Sequence, residues 1–155
     1  MIKSAIYLIG ICLILTGCEQ SSLPGQQIPL ANQGLLSADL ASSGKQAIVS
    51  SLGQGTVVWD LEQGKERWSW RQSDDQEEFV TLTRFSPDDS HAITATQLTF
   101  AIWRLQDGRP QGYYSLPESS LRDAALSADG RLVLIGREAC KAALVDSRTG
   151  RRLQF

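Results

Sequence analysis

The chain has 155 residues, with 15 Lys and Arg against 17 Asp and Glu and one histidine, for a formal net charge of −2. This balance excludes nucleic-acid binding driven by phosphate neutralisation, which needs a basic face. A lone histidine with no cysteine pair at ligand spacing also argues against a zinc or copper centre within one chain.

In chain order, the first element is an export segment. Met-Ile-Lys-Ser carries one positive charge, and Ala5 to Leu15 (AIYLIGICLIL) is free of charge and proline, as in the opening parts of a secretory signal. The run is too short to remain as a spanning helix, which asks for roughly 20 apolar residues. Its border, Leu15-Thr16-Gly17-Cys18, resembles the lipobox of bacterial lipoproteins. That resemblance implies cleavage between Gly17 and Cys18, a diacylglyceryl group on the Cys18 sulfur, and acylation of the new amine, as by palmitate. Two or more acyl chains hold a protein on a bilayer where one is marginal. The plainer alternative is an ordinary signal peptide with an incidental cysteine. Glu19 in place of an aspartate leans towards the outer membrane, facing the periplasm, rather than the inner membrane.

Residues 18–34 are expected to be a flexible tether, rich in Ser, Gln, Pro and Gly. With Cys12 in the signal and Cys18 lipidated, Cys140 is left without an internal disulfide partner, and a buried inert thiol is the expectation.

Residues 35–155 repeat. Segments from Ser37, Thr83 and Asp123 each read as a short strand ending in Leu40, Phe85 or Leu126, followed by a polar turn (ASSG, SPDD, SADG). Two further apolar strands follow, and each unit has a glycine: Gly64, Gly108 and Gly150, at intervals of 44 and 42 residues. Trp59, Trp103 and Val145 keep the same intervals. β-Branched residues dominate, turn signals recur, and no 3.6-residue period persists, so the body is all-β.

The runs VVWDLEQG and AIWRLQDG, each following a turn and an apolar strand, resemble bacterial WD-repeat β-propeller sequences; quinoprotein-type propellers have similar periods and remain a competitor. The resemblance implies four-stranded antiparallel blades at about 35–75, 79–117 and 120–155. It places Trp59, Trp103 and Val145 between neighbouring blades and ends third strands at Asp60 and Asp146. Two departures stand out: the Gly-His pair is absent, and Arg104 replaces the aspartate of the second unit. Closed rings hold four or more blades, so three blades imply an open or incomplete ring. The expectation is a truncated reading of a longer propeller lipoprotein, with closure by two or more chains or a single open arc as alternatives, and self-association through open blade edges in prospect.

A search for chemistry yields no catalytic group, no cofactor and no metal site. His91 reads as a solvated turn residue, and a written Ser90-His91-Asp89 triad cannot place adjacent side chains in relay geometry. Gly53-Gln54-Gly55 is a hairpin turn rather than a phosphate loop. Asp74-Asp75-Gln76-Glu77-Glu78 is a solvated loop without calcium-ligand spacing. Trp68, Trp70, Tyr113 and Tyr114, on outermost strands, are candidates for partner contact, against the alternative that they pack an outer strand onto its blade. The functional expectation is a non-enzymatic, membrane-anchored periplasmic scaffold that binds an envelope protein partner. The alternatives are a quinoprotein-like factor for outer-membrane protein assembly, or a fragment of a propeller-type envelope hydrolase.

Overall fold

The computed structural model describes residues 34–72, 79–116, 120–138 and 141–153. Cys18, Gly17, Glu19, the tether before Gly34, the 74–78 carboxylates and Cys140 lie outside the described residues.

Among the described residues, twelve strands form three four-stranded antiparallel sheets, and each sheet is a meander in chain order. Blade 1 comprises β1 (Leu35–Leu40), β2 (Gln46–Ser51), β3 (Gly55–Asp60) and β4 (Lys65–Trp70). Blade 2 comprises β5 (Leu82–Phe85), β6 (His91–Ala95), β7 (Thr99–Arg104) and β8 (Pro110–Ser115). Blade 3 comprises β9 (Leu121–Leu126), β10 (Leu132–Arg137), β11 (Lys141–Asp146) and the two-residue β12 (Arg152–Leu153).

Side chains alternate between the faces of a strand, so the register assigns each residue a side. Ile48 pairs with Asp39 and Val58, Ile93 with Arg84 and Ile102, and Leu134 with Ala125 and Leu144. These residues form the trailing face of each blade, turned to the blade that follows. Trp59, Trp103 and Val145 lie on the opposite, leading face. Blade 2 has both faces covered, and its strands are accordingly buried without alternation over Ala92–Ala95 and Phe100–Trp103. In blade 3, where one face is open, β10 alternates between buried and more exposed positions. The small side chains Ala92 and Ala101 let Trp103 and the sheet of blade 1 approach, and one apolar cluster fills each of the two blade interfaces.

The polar turns between first and second strands share one backbone shape. Gly44, Asp89 and Gly130 occupy the same turn position with φ of 69°, 57° and 66°. Asp89 is the one non-glycine residue there, in a region that aspartate tolerates better than most side chains. In exchange, its two carboxylate oxygens each accept a backbone N–H from blade 1, Ser42 and Ser43, at 2.8 Å.

Candidate interaction surface

The inner strands β1, β5 and β9 line the channel side, and their free edges leave amides that need partners. Ser37 Oγ accepts the Thr83 N–H at 3.0 Å, and Asp39 Oδ2 accepts the Phe85 N–H at 2.8 Å. At the next interface an exposed ion pair, Arg84 Nη2 to Asp123 Oδ1 at 3.0 Å, takes over; it contributes at most about 1 kcal/mol.

The third-to-fourth-strand turns explain both the W-D signature and its departure. Asp60 Oδ1 accepts the Gln63 N–H at 2.8 Å, and Asp146 Oδ1 accepts those of Arg148 and Thr149 at 2.9 Å. These Thr149 and Arg148 bonds hold the Asp146 carboxyl below the usual carboxylate range. In blade 2 Arg104 occupies the aspartate position, and Asp107 inside the turn accepts instead: Arg104 Nη2 at 2.8 Å and the Arg109 N–H at 3.2 Å. The hydrogen-bonding role has moved three residues along the chain.

Trp103 is 3% exposed. Trp70 of blade 1 stacks on it at 4.7 Å with a 4° interplanar angle, Tyr113 meets it edge-on at 5.6 Å, and its Nε1–H donates to Thr94 Oγ1 at 2.8 Å. Val145 is likewise buried at its interface. Trp59 is half-buried on the leading face of blade 1, and its buried Nε1 has no acceptor among the described residues. The register gives the reason: Ala47 pairs with Trp59 as Ala92 pairs with Trp103, so Val49 stands where Thr94 supplies the hydroxyl.

The four outer-strand aromatics divide. Trp70 is buried, with its Nε1–H on the Gly108 carbonyl at 2.9 Å, and Trp68 packs beside it with its Nε1–H on the Leu105 carbonyl at 3.3 Å. Tyr114 donates its hydroxyl to the Ser147 carbonyl at 2.6 Å and packs against Phe100 at 4.9 Å. Burial, and after it the nearby Asp146 charge, push the Tyr114 phenol upward in pKa. These three residues clamp one blade to the turn of the next. Tyr113, 51% exposed, is the one that faces solvent.

His91 differs from the solvated turn residue that the sequence suggested. It is half-buried at the start of β6, its Nδ1 is 2.7 Å from Ser90 Oγ, its Nε2 is 3.2 Å from Gln111 Oε1, and its ring covers Gly130 of blade 3. Ser90 Oγ donates to Asp88 Oδ1 at 2.7 Å. The serine thus lies between acid and histidine, which is not the acid–base–nucleophile order of a catalytic triad.

Two residues absent from the sequence-based candidates stand at the opposite end of blade 2. Leu98, in the β6–β7 hairpin, is 57% exposed, and Phe79, just before β5, is 52% exposed. An apolar residue at a hairpin tip was the available signal. Along the outer interface of blades 2 and 3 runs a groove of about 490 Å³, lined by Phe100, Tyr114, Arg137, Val145 and Arg152 among others. Valine at 145, where blade 2 carries a tryptophan, leaves the space. Among the described residues no three His, Cys, Asp or Glu side chains converge as metal ligands would.

Acid should weaken the first blade interface. Burial raises the Asp89 carboxyl, but the Ser43 and Ser42 N–H bonds outweigh it, and its pKa lies below the ordinary 3.8. A depressed folded-state pKa contributes stability that is present above the unfolded-state value and lost as pH falls through the folded one. Asp89→Gly keeps the backbone shape found at Gly44 and Gly130. It should lower the urea midpoint at neutral pH and lose less on acidification below 3.8 than wild type does. Parallel acid profiles for the two proteins would refute this role for Asp89.

No family model matches the chain, and no curated protein matches it. Among solved structures, a chain described as "Structure of U3-55K", a WD-repeat β-propeller protein, superposes with a TM-score of 0.68 at 8% identity. The match covers 80% of this chain and 39% of that one, so this chain spans well under half of that neighbour's length. In all, 826 solved chains match, and a fold so widely used identifies an architecture and not a function. The architecture is that of a WD-type β-propeller, present among the described residues as three four-stranded blades in an open ring.

Proposed function

We propose that this chain is a membrane-anchored periplasmic lipoprotein whose propeller blades form a rigid platform for an envelope protein partner. The single observation that carries the anchor is Leu15-Thr16-Gly17-Cys18 at the end of a short apolar run, with polar residues after it. Acylation at Cys18 supplies the membrane affinity, and Glu19 favours the outer membrane, facing the periplasm. The binding role is supported by the WD-type fold, a stiff scaffold that displays loop and rim side chains. On that scaffold, Tyr113, Phe79 and Leu98 are the aromatic and apolar groups that a partner would cover.

Labelling with a palmitate analogue, followed by membrane fractionation, tests the anchor. Wild type should incorporate label and sediment with membranes, and Cys18→Ser should do neither. Label retained by Cys18→Ser would refute the lipid reading.

A further inference from the structure

We propose that two copies of this chain close one ring, the trailing face of blade 3 in each copy docking on the leading face of blade 1 in the other. The two open faces continue interfaces that the chain already forms twice internally. On the trailing side, Ile48 and Ile93 are each 0% exposed against the following blade, while Leu134, at the same register position in blade 3, is 46% exposed. On the leading side, Phe85 and Leu126 are each 8% exposed, while Leu40 at the same position in blade 1 is 60% exposed. These open positions keep the apolar character that the buried interfaces require. Around Leu40 the leading face carries the part-exposed Ala38, Ala47, Val57 and Trp59, and beside Leu134 lie Leu132 and Leu144. The charge on the inner edge of the trailing face, Asp123, already has Arg84 as its ion partner.

The turn glycines show the same vacancy. A Cβ on Gly108 would stand 2.4 Å from the Trp68 ring of the preceding blade, and one on Gly150 would stand 2.5 Å from Tyr114. Gly64, the equivalent residue in blade 1, has nothing within 4 Å. Similarly, a Cβ on Gly130 would stand 2.4 Å from the His91 ring, whereas one on the equivalent Gly44 would have nothing within 4 Å. Blade 3 offers a matching group: Leu132 opens β10 as His91 opens β6. Two arcs of three blades make a ring of six, within the roughly four to eight of closed propellers. A leading face meets a trailing face at both joints, a heterologous contact that closes into a ring of two when each arc spans half the circle.

The test is the mass of the purified full chain in detergent, by light scattering corrected for bound detergent. Wild type should give a particle of two chains. Leu40→Lys and Leu134→Lys should each give one chain, with unchanged far-UV circular dichroism because both sites are exposed in the single arc. Mixing the two variants should restore a fraction of pairs, since each retains one intact face of opposite kind. A monomeric wild type would overturn the proposal, and so would pairs that survive Leu134→Lys, because leading faces would then be meeting each other. The proposal stands apart from the lipid reading, so Cys18→Ser should leave the twofold mass unchanged.

Discussion

Trp103→Ala should destabilise the arc by about 3–5 kcal/mol, the range for truncating a buried tryptophan. Three interactions end together: the stack on Trp70 across the first blade interface, the edge contact with Tyr113, and the hydrogen bond to Thr94. Aromatic pairing adds about 0.5–1.5 kcal/mol to the burial term. Small domains have only about 5–15 kcal/mol in total, so the variant should unfold at far lower urea. Tyr113→Ala is the internal control, since it touches the same ring from a half-exposed position and should cost less than about 1.5 kcal/mol. Equal midpoint shifts for the two variants would mean that Trp103 does not join the blades.

Gly108→Ala should cost about 3 kcal/mol, combining roughly 1–2 kcal/mol for a left-handed alanine with displacement of a packed ring. Gly64→Ala separates the two contributions. Both glycines have positive φ, 69° at Gly108 and 63° at Gly64, but only Gly108 lies under Trp68. In a Leu134→Lys background, which keeps the arc single, Gly64→Ala should show the backbone cost alone. The difference between the two measures the clamp of blade 1 on blade 2. If the two costs match, Trp68 yields freely and the clamp carries no energy.

The three-unit repeat, the all-β body and the turns at Gly44, Asp89 and Gly130 were legible because each rests on a local rule: a spacing, a residue type or a required φ. The direction of the outer aromatics was not read, although the signal was present. Trp68 and Trp70 are two residues apart and so share one strand face, the face of Val58 that blade 2 covers. Tyr113 and Tyr114 are adjacent and must point to opposite sides, one half-exposed beside Trp103 and one on Ser147 of blade 3. Parity along the strand would have predicted a mostly interblade role. His91 is a different case. Its ring rests on Gly130, 39 positions away in sequence, in the space that the missing glycine side chain leaves, and no local pattern encodes such a pairing. The shift of a turn-capping acid from position 104 to Asp107 was hidden for a related reason: the turn needs an acceptor near its amides but does not prescribe which residue provides it.

Residue-resolved amide hydrogen exchange on the Leu134→Lys chain, which keeps the arc single, addresses the stacked blades most directly. The strongest protection should fall on β2 and β3, β6 and β7, and β10 and β11, with blade 2 slowest because neighbours cover both its faces. Fast exchange should mark the three polar turns after Leu40, Phe85 and Leu126, apart from the Ser42 and Ser43 amides that Asp89 holds. Protection that runs unbroken through those turns, or a second blade that exchanges as fast as its neighbours, would contradict three sheets packed face to face.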